Sequence, residues 1–241
     1  MRPWVSAVLL AAALAADAAE TGYRLDRSPH DPTDRASLQA GAALFVNYCL
    51  GCHGAQYVRY NRLADLGLSE QQIRDNLLYT ADKVGEPMRT TMPPAEARRW
   101  FGIAPPDLSL VARARGADWL YTYLRTFYRD TRSANGWNNA VFPNVGMPHA
   151  LWMLQGERAL ENVPPQDGRS APAYRWRQLA PGLLSEVEYD RTVRDLVNFL
   201  VWAGEPAASA RTRIGVVVLV VLSVLLAFAY ALKKEFWKDV R

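Results

Sequence analysis

The sequence lacks the patterns that are typical of disulfide-rich proteins, thioredoxin-like redox proteins, repeat proteins and nucleic-acid-binding proteins. Only two of its 241 residues are cysteines, so at most one disulfide can form. No βαβ pattern surrounds these cysteines, which argues against a thioredoxin-like redox pair. The chain has no internal repeat, no low-complexity tract, and no basic run within residues 21–204. The formal net charge of +4 is therefore no indication of nucleic-acid binding, and no acidic cluster marks a docking site for a basic protein.

The two cysteines belong to the segment Cys49-Leu50-Gly51-Cys52-His53, the pattern of covalent c-type haem attachment. Each thiol adds to one vinyl group of the porphyrin, and the adjacent imidazole reaches the iron as an axial ligand. In an oxidising compartment such a pair can instead form a structural disulfide, but the adjacent histidine favours haem. The sequence predicts one haem c, bound through Cys49 and Cys52, with His53 on the iron.

Apolar segments near both ends indicate export and membrane attachment. Residues 1–18 combine a basic start with an apolar run of 12 residues, which is short for a membrane span and predicts a cleaved signal peptide. Residues 214–232 carry no charge, and as a helix they would cover roughly 28 Å, close to the thickness of a bilayer core. We expect them to be a single transmembrane anchor in the lipid bilayer.

The flanking charges and the signal peptide predict the orientation. Basic residues follow the anchor directly, which favours a cytoplasmic tail at 233–241. The predicted organisation is then a haem domain at 19–205 in the periplasm, a linker at 206–213, and the anchor at 214–232. The protein would be a single-pass protein of the cytoplasmic (inner) membrane.

The periodicity of the intervening domain predicts a mostly α fold. Apolar residues recur at helical spacing within 37–49, 68–80, 117–129 and 185–203, and no strand pattern is of comparable strength. Residues 129–149 and 162–183 are rich in proline, glycine and asparagine and are predicted to be irregular. Loops of that length need a surface to pack on, and a haem would supply one.

The sixth iron ligand distinguishes electron transfer from ligand binding. Met147 is favoured because the turn Gly146-Met147-Pro148 fixes its thioether, whereas Met92 has a weaker version of that context. His149 leaves histidine–histidine ligation open. The other candidates are Met88, His30 and Met153. His30 lies in an irregular segment, and we expect Met153 to lie on a short helix with its side chain in the protein core. Histidine–methionine ligation raises the reduction potential and closes the iron to small ligands.

Four segments together carry a resemblance to a known family. They are residues 47–53, 59–63, 105–109 (Pro-Pro-Asp-Leu-Ser) and 143–148 (Pro-Asn-Val-Gly-Met-Pro). With the C-terminal anchor, they resemble the cytochrome c1 family, the haem subunit of the ubiquinol–cytochrome c reductase (cytochrome bc1) complex, in its bacterial form. The resemblance implies a class I cytochrome c-like haem domain with insertions and long loops, followed by one transmembrane helix.

The same resemblance implies roles for individual residues. It makes Met147 the distal ligand, packs Pro106 against the haem face, and brings Arg115 to a haem propionate, a pairing that suits a guanidinium. Trp119 stands where a tyrosine is expected in relatives, so this position has no hydroxyl to donate a hydrogen bond.

The implied function is one-electron transfer. The haem would receive electrons from the Rieske iron–sulfur subunit and pass them to a periplasmic cytochrome c, with cytochrome b as a further partner and no acid–base chemistry of its own. Such a chain is not an enzyme by itself but a carrier subunit of an oxidoreductase. Alternatives are a membrane-anchored cytochrome shuttle outside a bc1 complex, a haem peroxidase or gas sensor with an open sixth site, and a thiol protein without haem.

Overall fold

The computed structural model describes residues 23–163 and 173–239. The predicted signal peptide at 1–18 lies outside the described residues. Helices dominate the described ranges, in agreement with the mostly α prediction. The α-helices are α1 (Arg35–Leu44), α2 (Glu70–Asn76), α3 (Pro94–Phe101), α4 (Val111–Arg115), α5 (Ala117–Arg125), α6 (Trp152–Gln155), α7 (Glu186–Gly204) and α8 (Ala208–Phe236).

Within the described residues, three antiparallel strand pairs lie between these helices. Their strands are β1 (Ala55–Arg59) with β2 (Pro87–Met88), β3 (Phe127–Arg129) with β4 (Trp137–Asn139), and β5 (Gly156–Val163) with β6 (Ala173–Pro181). In addition, Tyr60–Leu66 forms a 3-10 helix after β1.

The first and last helices of the haem domain, α1 and α7, cross at very close range. A β-carbon at Gly41 in α1 would stand 2.0 Å from the backbone oxygen of Asp195 in α7, so only glycine fits there. Next to this contact the rings of Phe45 and Phe199 lie 5.4 Å apart and are both fully buried. Buried residues from both helices at this crossing belong to the hydrophobic core.

Helix α1 leads directly into the predicted haem-binding loop. It continues as a π-helical turn, Phe45–Cys49, in which the N–H of Leu50 donates to the carbonyl of Phe45 over 2.9 Å. Single π-helical turns are frequent at functional sites. The turn ends on Cys49, so a helix packed in the core fixes the position of the first attachment cysteine.

The strand pair β5–β6 corrects one prediction. Residues 162–183 were expected to be irregular, but Ala173–Pro181 pairs along its length with Gly156–Val163. The alternation of Tyr174 and Trp176 with Arg175 and Arg177 is short, and it breaks near Leu179, where the register of the pair shifts. The strand pattern over Ala173–Pro181 is therefore weak. Residues 129–149 likewise contain β4, and the helix predicted for 117–129 ends at Arg125 because Phe127–Arg129 joins a strand pair.

Helix α8 is longer than the predicted anchor. It begins at Ala208, so most of the interval 206–213 is helical, and the part that is long and apolar enough to cross a membrane is Ala210–Phe236, with a mean hydropathy of 2.8. The apolar part of this span is not buried against the rest of the described chain. Its apolar side chains point outward, and basic residues stand at both ends. Such a helix suits a single membrane anchor.

Candidate haem-binding site

The two cysteines and the histidine lie on one tight turn. After the π-helical turn, the N–H groups of Cys52 and His53 both donate to the carbonyl of Cys49, over 3.0 and 2.7 Å. Both cysteines are free thiols and partly buried. Burial raises the pKa of Cys49 to about 12 and also raises the pKa of Cys52. The thiols therefore stay protonated at neutral pH, and the turn presents them together with the imidazole.

The imidazole of His53 has a fixed orientation. Its Nδ1 lies 2.7 Å from the carbonyl oxygen of Pro106, which can only accept, so Nδ1 carries the proton. Burial lowers the pKa of His53, partly offset by this hydrogen bond. A neutral ring protonated on Nδ1 has its free lone pair on Nε2, directed away from Pro106, and metal-binding histidines use this arrangement.

The loop that supplies Pro106 is held against the cysteine turn by a second set of bonds. Leu108 donates its N–H to the carbonyl of Gly54 over 2.7 Å. The carboxylate of Asp107 accepts from the N–H of Gln56 and from the N–H of Ser109, both over 2.9 Å. Residues 105–109 carry part of the family resemblance, but the sequence indicates no role for Asp107, which in the structure connects the two loops.

Met147 lies in a second, separately fixed loop. Its side chain packs partly buried against the core, and the hydroxyl of Tyr123 donates to its Sδ over 3.3 Å. The ring of Tyr123 stacks on Trp119 at 4.7 Å with an angle of 10°. The carbonyl of Gly146 accepts from the amide of Asn135 over 2.9 Å. The thioether is therefore held by contacts from α5 and from the segment after β3.

His149 is a core residue. It is only 2% exposed, its Nε2 lies 2.7 Å from Oε1 of Gln155, and its ring stacks on Phe127 at 4.8 Å with an angle of 2°. Burial lowers its pKa to about 3, so it is neutral. These contacts account for His149 without a metal and disfavour it as the sixth ligand.

The remaining methionine candidates have other surroundings. Met92 donates its N–H to Thr90, whose hydroxyl donates to the carbonyl of Gly51, so it belongs to the cysteine side of the site. Met88 is fully buried in β2. Met153 does lie on a short helix, but the expectation that it is in the core is wrong, since it is 54% exposed. Met153 lies on the outer face of α6. This helix is only one turn long, and over one turn the periodicity of apolar residues does not show which side chains are buried.

Pro106 and Arg115 both lie on exposed backbone close to this site. Pro106 contacts His53 through its carbonyl. The guanidinium carbon of Arg115 lies 5.2 Å from the ring centroid of Trp119 and 6.0 Å from that of Phe142. Their direct haem contacts stay predictions.

The donor set fits haem c. Two thiols at the required spacing, a neutral imidazole with Nε2 directed outward, and a thioether in a fixed loop are the groups that this cofactor needs. Haem c supplies one-electron redox chemistry when bound. The chain's contribution is to hold the ligands in place.

Comparison with known proteins assigns the family. The family described as "Cytochrome C1 family" matches residues 26–171 and 185–240. A Nitrosomonas europaea protein named ammonia monooxygenase gamma subunit is 49% identical over 97% of this chain and 96% of its own length. Cytochrome c1 of Allochromatium vinosum is 48% identical over 96% of both chains, and that of Rhodospirillum rubrum is 30% identical over 86% of this chain and 83% of its own. The chain therefore belongs to the cytochrome c1 family of electron-transfer proteins.

Proposed function

We propose that this chain is the haem subunit of a quinol–cytochrome c reductase, receiving electrons from a Rieske iron–sulfur protein and passing them to a periplasmic cytochrome c. The observation that carries the proposal is the match of the cytochrome c1 family over residues 26–171 and 185–240. The 2.7 Å contact between Nδ1 of His53 and the carbonyl of Pro106 supports it, because it sets one tautomer of the histidine next to both attachment thiols. This arrangement suits a histidine that binds the iron of a covalently attached haem.

The residues have the following roles in this proposal. The thiols of Cys49 and Cys52 would attach the haem covalently, and Nε2 of His53 and Sδ of Met147 would serve as ligands to its iron. Pro106 would contact the haem face and Arg115 a propionate. Because two protein ligands leave no open position on the iron, this arrangement favours electron transfer over peroxidase or gas-sensing chemistry.

Rigid ligands suit electron transfer, since the surroundings of the iron need not rearrange when its charge changes. Asp107 and the Pro106 carbonyl hold the histidine side, and Tyr123 and Asn135 hold the methionine side. Outer contacts of this kind orient ligands and tune the metal.

The junction with α8 suits a haem domain held close to a membrane. Glu205 pairs with Arg113 of α4 over 3.7 Å and with Arg211 in the first turns of α8. These ion pairs connect the anchor to a helix next to the candidate site. The haem domain would face the periplasm, within reach of membrane partners such as cytochrome b.

Optical spectroscopy tests the haem ligation. The purified protein should retain haem in denaturing electrophoresis, and its oxidised spectrum should show the far-red charge-transfer band of methionine–iron ligation. Carbon monoxide binding to the reduced, unmodified protein would instead indicate an open sixth site.

Purification from native membranes in mild detergent tests the assembly. Co-elution of cytochrome b and a Rieske protein is expected. A carrier role in another membrane assembly is the second candidate, since one relative that is 49% identical is named as a subunit of ammonia monooxygenase. Elution without cytochrome b and the Rieske protein would favour this candidate or a free shuttle.

A further inference from the structure

One continuous segment, residues 88–115, contacts the histidine side of the candidate site at two points. The hydroxyl of Thr90 donates to the carbonyl of Gly51 within the attachment motif over 2.9 Å. The carbonyl of Pro106 accepts from His53 over 2.7 Å. We call residues 88–115 the arginine frame.

The arginine frame also reaches the methionine side. The carbonyl oxygen of Phe101 would stand 3.7 Å from a β-carbon at Gly146, the residue before Met147, and both line the same open cavity. At the end of the frame, Arg115 lies over Trp119, the aromatic partner of the tyrosine that bonds to Met147. The frame therefore borders both predicted iron ligands, and a protein that approaches the haem from this side would meet it.

The charge of the frame differs from that of the domain around it. Residues 19–205 contain 21 basic and 21 acidic side chains, so the haem domain is formally neutral. The frame holds five of the basic side chains and two of the acidic ones, a formal charge of +3. The rest of the domain is then negative by the same amount. The five arginines are Arg89, Arg98, Arg99, Arg113 and Arg115.

The two acidic side chains of the frame are already engaged. Glu96 lies 3.6 Å from Arg99, and Asp107 accepts backbone N–H groups. Arg113 pairs with Glu205 outside the frame over 3.7 Å, whereas Arg89 and Arg98 are exposed and form no ion pair within the described part of the chain. The frame also presents apolar surface, since Trp100 is 59% exposed and Ile103 is 66% exposed. Exposed arginines and exposed apolar side chains are both typical components of a transient protein interface.

We propose that the arginine frame is the docking surface for the acidic face of a soluble electron-transfer protein. This inference rests on the proposed electron-carrier function and adds the sign of the partner's charge. Opposite charges steer diffusional encounter and raise association rates, and rim charges act mainly on that rate. A basic acceptor would be repelled at the same surface.

A matched pair of electron acceptors with opposite charge tests the predicted sign of the partner's charge directly. The probes are a basic mitochondrial-type cytochrome c and the same protein with its lysines succinylated, which makes it acidic. Oxidation of the reduced, haem-loaded full-length protein in neutral detergent is followed by stopped flow at low and high ionic strength. The succinylated form should react about tenfold faster at low salt, and the advantage should disappear at high salt.

Charge reversals locate the surface. Replacing both Arg89 and Arg98 by glutamate should abolish the preference for the succinylated form. The control is Arg191→Glu, an exposed arginine on α7 that lies about 20 Å along the helix from Gly204, where α7 meets Arg113. The control should change the rates by less than twofold.

The outcomes separate this inference from the function on which it rests. Equal rates at low salt, faster reaction with the basic form, or an equal effect of the control reversal would overturn the docking surface while leaving the carrier role intact. Failure of both cytochrome forms to take electrons from the reduced protein would overturn the carrier role and the docking surface together.

Discussion

The hydroxyl of Tyr123 donates a hydrogen bond to Sδ of Met147 over 3.3 Å, from a ring that is stacked on Trp119. Burial raises the pKa of Tyr123, so the hydroxyl keeps its proton and remains a donor at neutral pH. A thioether sulfur has two lone pairs, so one can accept this hydrogen bond while the other binds iron. The structure thus combines a predicted ligand with a donor that can tune it.

Replacing Tyr123 by phenylalanine should lower the reduction potential of the haem by some tens of millivolts. The hydroxyl withdraws electron density from the sulfur, which disfavours the ferric state, and hydrogen bonds to ligands are among the factors that set such potentials. Spectroelectrochemical titration measures the shift. Tyr121→Phe on the same helix is the control and should leave the potential unchanged. A shift as large in the control would mean that Tyr123 acts through packing alone.

Met147 and His149 are two of the candidates for the sixth ligand, and substituting them should have opposite effects on the optical spectrum. Met147→Leu should abolish the far-red band and allow the reduced protein to bind carbon monoxide. His149→Ala should retain the band, because His149 is engaged by Gln155 and Phe127, but should destabilise the fold by about 3 kcal/mol through the cavity it leaves. Optical spectra and thermal unfolding distinguish the two effects. Loss of the band in His149→Ala alone would identify the histidine as the ligand.

The features that could be predicted from the sequence are those that depend on residues close together along the chain. The attachment motif needs only five consecutive residues, and the helical periodicity of residues 185–203 predicted both ends of α7 within one residue. The Tyr123–Met147 bond joins residues 24 positions apart, and nothing local to Tyr123 indicates its partner. For the same reason the role of Asp107 and the pairing of β5 with β6 were missed. Such contacts depend on how the chain folds back on itself.

The crossing of α1 and α7 should tolerate no side chain at Gly41. Alanine there would place its β-carbon 2.0 Å from the backbone oxygen of Asp195, and neither helix can shift without disturbing the Phe45–Phe199 contact. We expect Gly41→Ala to lower the free energy of unfolding by about 3 kcal/mol, as overpacking of a core does. Thermal unfolding followed by circular dichroism measures the loss.

Gly85→Ala is the matched control for that substitution. No atom lies within 4 Å of a β-carbon at Gly85, so the same added methyl group should change stability by less than about 0.5 kcal/mol. Equal melting temperatures for the two variants would show that the helices can separate to admit a methyl group.

Asp130 should make the stability of the methionine-side loop depend on pH. Its carboxylate accepts from the amide of Asn138 over 2.9 Å and from the backbone and side chain of Arg132 over 3.0 and 3.1 Å. These hydrogen bonds hold its pKa at about 2, below the ordinary value of 3.8. Because the folded-state pKa is depressed, the stabilisation is fully present above about pH 4 and is lost as the pH falls towards 2.

Asp130→Asn should therefore cost about 1 kcal/mol at pH 7, where the native carboxylate is charged, and progressively less between pH 4 and pH 2. Urea unfolding across that pH range measures the difference between the variant and the unmodified protein. Asp82→Asn, at an exposed aspartate, is the control and should show no such convergence. A difference for Asp130→Asn that stays constant from pH 7 to pH 2 would mean that the amide of Asn138 and the guanidinium of Arg132 stabilise the loop without regard to the charge of residue 130.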